Sequence, residues 1–566
     1  MKVLLCTVEL LLLLLPAAIL LGRYMAHVFK GERTILTWAL LPLERVVYRL
    51  CRIDERREMS GRTYAFSVVT FTAAGIVVLF VLQLLQGVLP LNPSRLPGVR
   101  WDTALNTAIS FATNTNWQSY AGETTMSYLT QMLGLAVQNF LSAAVGLAVA
   151  VAVIRGFTRK EIDSIGSFWV DLVRSVIHVL LPLSLVLAVI LVSQGVVQTL
   201  RPPVTLETLE GATQVVPLGP GASQESIKEL GTNGGGYYNA NSAHPFENPT
   251  GFTNLLENFA MLLVPIALVF AFGTIVGNRK QGRALLAAML VLFALGLGVA
   301  SLSELAGNPK LAGEGVVRGE NLEGKEMRLG VPASIVWGQS TTATSSGAVN
   351  SSHDSVLPLV GLVYLFNMGI GEVVFGGVGV GLIGMLFYVV LAMFVAGLMI
   401  GRTPEFLGKK LGAYEMTMAV VGVLLCPVVL LAFTALALIV PSGLAGLGNP
   451  SAHGLSEILY AYTSAVGNNG SAFAGLSTNT PFYNITLGLA MLVGRFATLL
   501  PGLAIGAAVA KRKTVPTSAA TFPTTGALFV VVLVGVILLV GALTYFPAFS
   551  LGPILEHLFL GAGRMA

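Results

Sequence analysis

Four short clusters of oxygen-rich residues recur along this chain: Thr113-Asn114-Thr115-Asn116, Thr232-Asn233-Gly234-Gly235-Gly236, Thr344-Ser345-Ser346-Gly347 and Gly467-Asn468-Asn469-Gly470-Ser471. Counted from Asn114, Asn233, Ser346 and Asn469, they lie 119, 113 and 123 positions apart. Asn, Gly, Ser and Thr dominate turns, so one such cluster reads as an ordinary extracellular turn. Four at near-even spacing, each just before a long apolar stretch, read instead as a repeated loop that re-enters the membrane. Irregular backbone at membrane depth survives only where protein or water surrounds it. Four such loops about one axis turn their carbonyls toward one another, and a ring of carbonyl oxygens can replace the hydration shell of a potassium ion. Glycine suits this use because it reaches backbone conformations closed to other residues. No cluster contains an acidic residue, which argues against a carboxylate ring for divalent ions.

The elements that must hold these loops are membrane helices. Of the 566 residues 54% are hydrophobic and only 11% charged, against about 25% charged in a soluble domain. Such a chain cannot cover its own surface in water. Ten stretches are long enough to cross about 30 Å of hydrocarbon: residues 3–21, 63–89, 129–154, 168–192, 252–276, 284–302, 356–400, 416–440, 482–510 and 526–545. The seventh is too long for a simple crossing. Connections rich in Lys and Arg (residues 23–62, 155–160, 279–283, 402–410 and 511–513) alternate with longer ones rich in Gly, Asn and Thr. The positive-inside rule makes the basic set cytoplasmic and leaves both termini outside, with the first apolar run a retained helix. The same rule explains the net charge of +5, so nucleic acid is not expected as a partner.

The expected fold class is therefore all-α and polytopic. It has about ten transmembrane helices, four helix–re-entrant-loop–helix repeats around a central pore, and two extra helices. The boundaries are an extra first helix and basic loop (1–62), repeats at 63–160, 161–283, 284–410 and 411–513, and an extra last helix (514–566). The second helix of the third repeat is interrupted.

Single residues stand out against this background. Glu372 lies in the overlong seventh stretch, where an ionisable group costs roughly 2.5–3.5 kcal/mol and marks function or a partner. A structural ion pair is the alternative. Arg495 is an isolated cation in a span; below a cation-binding ring it would repel the ion, and otherwise it would pair two helices. Arg402, at a membrane edge, reads as a snorkelling side chain or a partner contact. Gln118 sits just past the first cluster, at the mouth of the ring or at a helix start. The six histidines show no ligand spacing, and Cys6, Cys51 and Cys426 form no metal or disulfide pattern. There is no G-x-x-x-x-G-K-[ST] loop and no Asp-Lys-Thr-Gly phosphorylation motif.

Residues 110–138 (SFATNTNWQSYAGETTMSYLTQMLGLAVQ), 231–249 (GTNGGGYYNANSAHPFENP), 369–379 (GIGEVVFGGVG), 401–410 (GRTPEFLGKK) and 468–476 (NNGSAFAGL) together resemble the potassium-binding subunits of Kdp-type potassium-transporting ATPases. The blocks are long, ordered and spread over nearly the whole chain. The resemblance implies a bacterial inner-membrane subunit with the fold of the Trk, Ktr and HKT potassium transporters. It implies potassium (K+) as the ion carried and no nucleotide on this chain. The implied partners are a P-type ATPase catalytic subunit, an essential accessory subunit and a very small membrane subunit. It places the selectivity filter at Asn114, Thr115, Asn116, Thr232, Asn233, Gly234, Gly235, Ser345, Ser346, Gly347, Asn468, Asn469 and Gly470. It also gives Gln118 an influence on ion affinity and Glu372 a place beside a constriction bordering a tunnel to the ATPase. The rivals are a voltage-driven Trk- or Ktr-like translocation subunit and a membrane scaffold without conduction.

Overall fold

The computed structural model describes residues 1–310, 319–401, 404–515 and 522–562. Among the described residues nearly all regular structure is helical, and ten helices are long and apolar enough to span a membrane. The first, α1 (Lys2–Lys30), buries Leu10, Leu14 and Ala18 on one face and leaves Leu12, Leu13 and Leu20 exposed, as a helix between protein and lipid must. A short amphipathic helix, α2 (Thr37–Leu50), follows it.

The same sequence of elements then occurs four times: a long helix, a short helix, a loop and a second long helix. The first set is α3 (Gly61–Val88), α4 (Trp101–Ala112) and α5 (Thr130–Thr158); the second is α6 (Phe168–Ser193), α7 (Gly221–Leu230) and α8 (Gly251–Ile275). The third is α9 (Arg279–Ala306), α10 (Val331–Ala343) and a divided helix, α11 (Pro358–Gly369) and α12 (Val380–Ile400). The fourth is α13 (Ala413–Ile439), α14 (Ser451–Gly467) and α15 (Pro481–Ala510), and α16 (Ala527–Gly561) ends the chain. In each set the second long helix is 56 to 83% buried over its apolar window and the first 22 to 44%. The second helices thus form the inner wall and the first ones the outer.

Local chemistry sets the helix ends. Ser60, Thr250, Asn278 and Thr480 each accept the backbone N–H three residues on, capping α3, α8, α9 and α15. The division between α11 and α12 follows from Gly371, Glu372, Gly376 and Gly379, all with left-handed φ and so incompatible with a continuous helix. Outside the ring, α1 lies along α8, where Gly22 brings the two backbones together, and α16 packs on α9, α11 and α12. Two small hairpins complete the fold. β1 (Val204–Glu207) pairs antiparallel with β2 (Thr213–Val216) in the α6–α7 connection, and β3 (Glu405–Phe406) with β4 (Lys409–Lys410) after α12. Lys409 donates from the second hairpin to the carbonyls of Arg159 and Arg512, stapling three connections together.

Candidate functional site

Each short helix ends in a loop with one repeated geometry. The N–H groups of Thr115, Asn233, Ser346 and Asn469 donate to carbonyls five residues earlier, those of Ser110, Lys228, Thr341 and Ser464, at 2.9, 2.8, 3.3 and 2.9 Å. A left-handed residue stands on either side of each: Asn114 and Asn116, Thr232 and Gly234, Ser345 and Gly347, Asn468 and Gly470. This fixes the register. Thr115, not Asn114, is the counterpart of Asn233, so the loops are 118, 113 and 123 positions apart. Matching asparagine to asparagine misaligns the first loop by one, because backbone handedness and not side-chain type defines the repeat.

The loops close into a ring in chain order. Asn114 Nδ2 donates to the Thr232 carbonyl (2.9 Å) and Asn233 Nδ2 returns to Asn114 Oδ1 (2.6 Å). Loop two meets loop three where a Cβ on Gly234 would stand 1.7 Å from the Ser346 carbonyl oxygen. Ser345 Oγ donates to the carbonyls of Gly467 and Asn468, and a Cβ on Gly347 would stand 2.1 Å from the Asn469 oxygen. Asn468 Nδ2 donates to Thr115 Oγ1 (2.9 Å), and a Cβ on Gly470 would stand 2.1 Å from the Thr115 oxygen. The remaining corner carries Asn116, whose Cβ uses the space that Gly235 leaves open, at 2.8 Å.

Thr115, Asn233, Ser346 and Asn469 are all 0% exposed, yet their four backbone carbonyls accept no hydrogen bond from any described residue. Buried carbonyls are nearly always paired, and leaving one unpaired is costly. Four at one register form a ring of electron-rich oxygens without donors, an arrangement able to coordinate a desolvated cation.

The segment between α11 and α12 lies against one side of this ring. Phe375 N and Gly376 N donate to the Ala343 carbonyl, and Val378 N donates to Thr232 Oγ1 at 3.0 Å. Glu372, 1% exposed, accepts from Asn469 Nδ2 at 2.7 Å, while its other oxygen has no partner among the described residues. Glu372, Ser345, Gly467, Asn468 and Thr498 line a cavity of about 30 Å³, room for a single small species. Arg495 on α15 is 2% exposed and donates to the Ser142 carbonyl at 2.6 Å; Ser142 Oγ in turn donates to Asn114 Oδ1. Among the described residues no carboxylate forms a salt bridge with Arg495 and no cation forms one with Glu372. Gln118 Nε2 donates to the Gly236 carbonyl at 3.1 Å and so joins the first loop to the second. Arg402 lies outside the described residues.

Two groupings have no signature in the sequence spacing. Asp354, His453 and Glu457 converge within 4.8 Å, with His453 bonded to Asp354 and Glu556. Lys228, fully buried behind the second loop, meets Glu225, Glu229 and Glu247. Its one available signal is the charge of α7, unusual in a short helix flanked by apolar spans. Cys6, Cys51 and Cys426 are free thiols.

A helical wall around four converging loops defines a polytopic membrane protein of the potassium-transporter fold. The structure aligns with the potassium transporter TrkH from Vibrio parahaemolyticus at a TM-score of 0.51, covering 87% of this chain and 96% of that one at 15% identity. Residues 8–558 match the family model described as potassium-transporting ATPase A subunit. The chain is 54% identical to the potassium-transporting ATPase potassium-binding subunit of Rhodospirillum centenum, over 96% of each chain. It is 56% identical to that of Methylorubrum extorquens, over 96% of this chain and 95% of that one. It therefore belongs to the potassium-transporting ATPase A subunit family.

Proposed function

We propose that this chain is the potassium-selecting subunit of an ATP-driven uptake system, and that K+ binds within the ring of four loops. The observation that carries the reading is the set of four buried, donor-free carbonyls at Thr115, Asn233, Ser346 and Asn469. A desolvated monovalent cation supplies the partner these oxygens lack. The alternating handedness on either side of each lets successive carbonyls face one way. The filter comprises residues 114–116, 232–235, 345–347 and 468–470, held by repeats at 63–160, 161–283, 284–410 and 411–513.

Below the ring, Glu372 borders the ion's onward route, and the unpaired charge of Arg495 opposes escape to the cytoplasm. The ion passes instead to a P-type ATPase subunit, with an accessory subunit and a very small membrane subunit completing the complex. This chain binds no nucleotide and hydrolyses none. It sits in a bacterial inner membrane with both termini outside, a reading supported by the basic connections on one side.

The test is ATP hydrolysis by the complex drawn from native membranes on a tag on this chain, titrated with potassium and then sodium. Stimulation by low potassium but not by sodium is expected. Voltage-driven potassium flux in liposomes with no associated ATPase would overturn the pump reading and favour a channel-like one.

A further inference from the structure

The residue whose carbonyl receives the loop N–H is a small hydroxyl residue in the first, third and fourth loops and Lys228 in the second. Ser464 Oγ accepts the N–H of Gly470 at 2.9 Å, and Ser110 Oγ donates to the Trp117 carbonyl at 3.0 Å. In both, a short hydroxyl ties the returning strand of its loop; the hydroxyl of Thr341 has no partner among the described residues. Lys228 holds its own loop from two sides. Its carbonyl accepts the N–H groups of Asn233 and Gly234. Its ammonium, at the end of a four-carbon stem, donates to Asn241 Oδ1 (2.9 Å), Ser242 Oγ (2.7 Å) and Glu247 Oε2 (3.0 Å), and lies 2.7 Å from Glu225.

Asn241 links this ammonium to the ring. While its oxygen faces Lys228, its Nδ2 donates to the Gly234 carbonyl at 2.6 Å. A cation on the carboxamide oxygen polarises the amide and strengthens the bond its N–H makes. The Gly234 carbonyl is thus engaged by Asn241, whereas the Asn233 carbonyl just before it accepts no hydrogen bond from any described residue. Glu247 completes the brace, accepting the N–H of Tyr238 at 2.6 Å.

We propose that Lys228 is a positioning residue for the second loop, acting through Asn241 on the Gly234 carbonyl and so setting the potassium affinity of the whole ring. The inference rests on the potassium-binding reading above. The intact complex, purified on a tag on this chain, is titrated with potassium and with rubidium while ATP hydrolysis is followed. Asn241→Asp keeps an oxygen for Lys228 but removes the N–H that holds Gly234. It raises half-saturating potassium about tenfold and alters the potassium-to-rubidium ratio, while hydrolysis at saturating potassium falls less than twofold. Asn241→Ala and Lys228→Met shift the affinity in the same direction. Glu257→Gln, a change to a buried carboxylate that lies within 4.8 Å of those of Glu225 and Glu229 and bonds neither Asn241 nor the loop, leaves the affinity at the wild-type value. The proposal is overturned if Asn241→Asp and Asn241→Ala bind potassium like wild type, if Glu257→Gln shifts affinity as far, or if neither Asn241 variant assembles, which would leave a purely structural role. A wild-type complex insensitive to potassium would instead sink the underlying potassium reading.

Discussion

The corners of the ring are closed in two different ways. At Gly234, Gly347 and Gly470 one backbone presses on the carbonyl of the next loop, leaving no room for a side chain. At Asn116 a side chain is present, room for it comes from Gly235 across the corner, and its Nδ2 is anchored on Asn139 Oδ1 at 2.7 Å. All four positions nonetheless share a left-handed φ. The fourfold likeness is thus a property of the backbone, and the residues need only permit it. Glycine permits it by absence, whereas asparagine does so because its short polar side chain tolerates that region.

The largest effect comes from putting a carbon where none fits. Gly234→Ala and Gly347→Ala combine overpacking with a strained φ, costing about 3 kcal/mol or on the order of a hundredfold in half-saturating potassium for ATP hydrolysis. Gly234→Asp, with a charge added, is expected to abolish potassium stimulation. Next comes Glu372→Gln, which keeps an acceptor for Asn469 and removes only the charge. A unit charge nearby at an effective dielectric of about 20 is worth roughly 1–2 kcal/mol, so potassium affinity falls about tenfold in the same titration. Asn116→Ala retains the carbon and loses one hydrogen bond, about 1 kcal/mol, and so weakens binding only severalfold. An effect as large as that of Gly347→Ala would show that the corners are alike.

The smallest effect concerns the support of the fourth loop. Burial disfavours charge on His453, but its bonds to Asp354 and Glu556 outweigh this and push its pKa up to about 10. A raised histidine pKa contributes stability that is complete below its ordinary value and is lost as pH rises through the folded value. Thermal unfolding of the complex should therefore shift to lower temperature between about pH 6.5 and 10, and His453→Gln should flatten that slope.

The ten spans are legible because each must carry a long run of apolar residues, and the division of the seventh is announced by its glycines. The four loops are legible as clusters, but their register is not: Asn114 and Asn233 look alike and occupy different positions. Which loop touches which is a matter of tertiary closure. The bond from Asn468 to Thr115 joins residues that no local pattern relates. Lys228 escapes sequence reading for the same reason, since its partners Asn241 and Glu247 reach it only once the chain after the loop has folded back. His453 likewise meets Asp354 and Glu556 from three separate elements.

The closing contact of the ring, Gly470 against Thr115, has a consequence for how the protein is made. The first three loops emerge from the ribosome long before the fourth, and until residue 470 is in place the first loop lacks one of its two neighbours. A nascent chain halted after α12 would hold three polar loops in the membrane around an incomplete circle. The first loop is accordingly enclosed on both sides only in a chain that extends through the fourth loop, and a product ending before it leaves one flank of the first loop open.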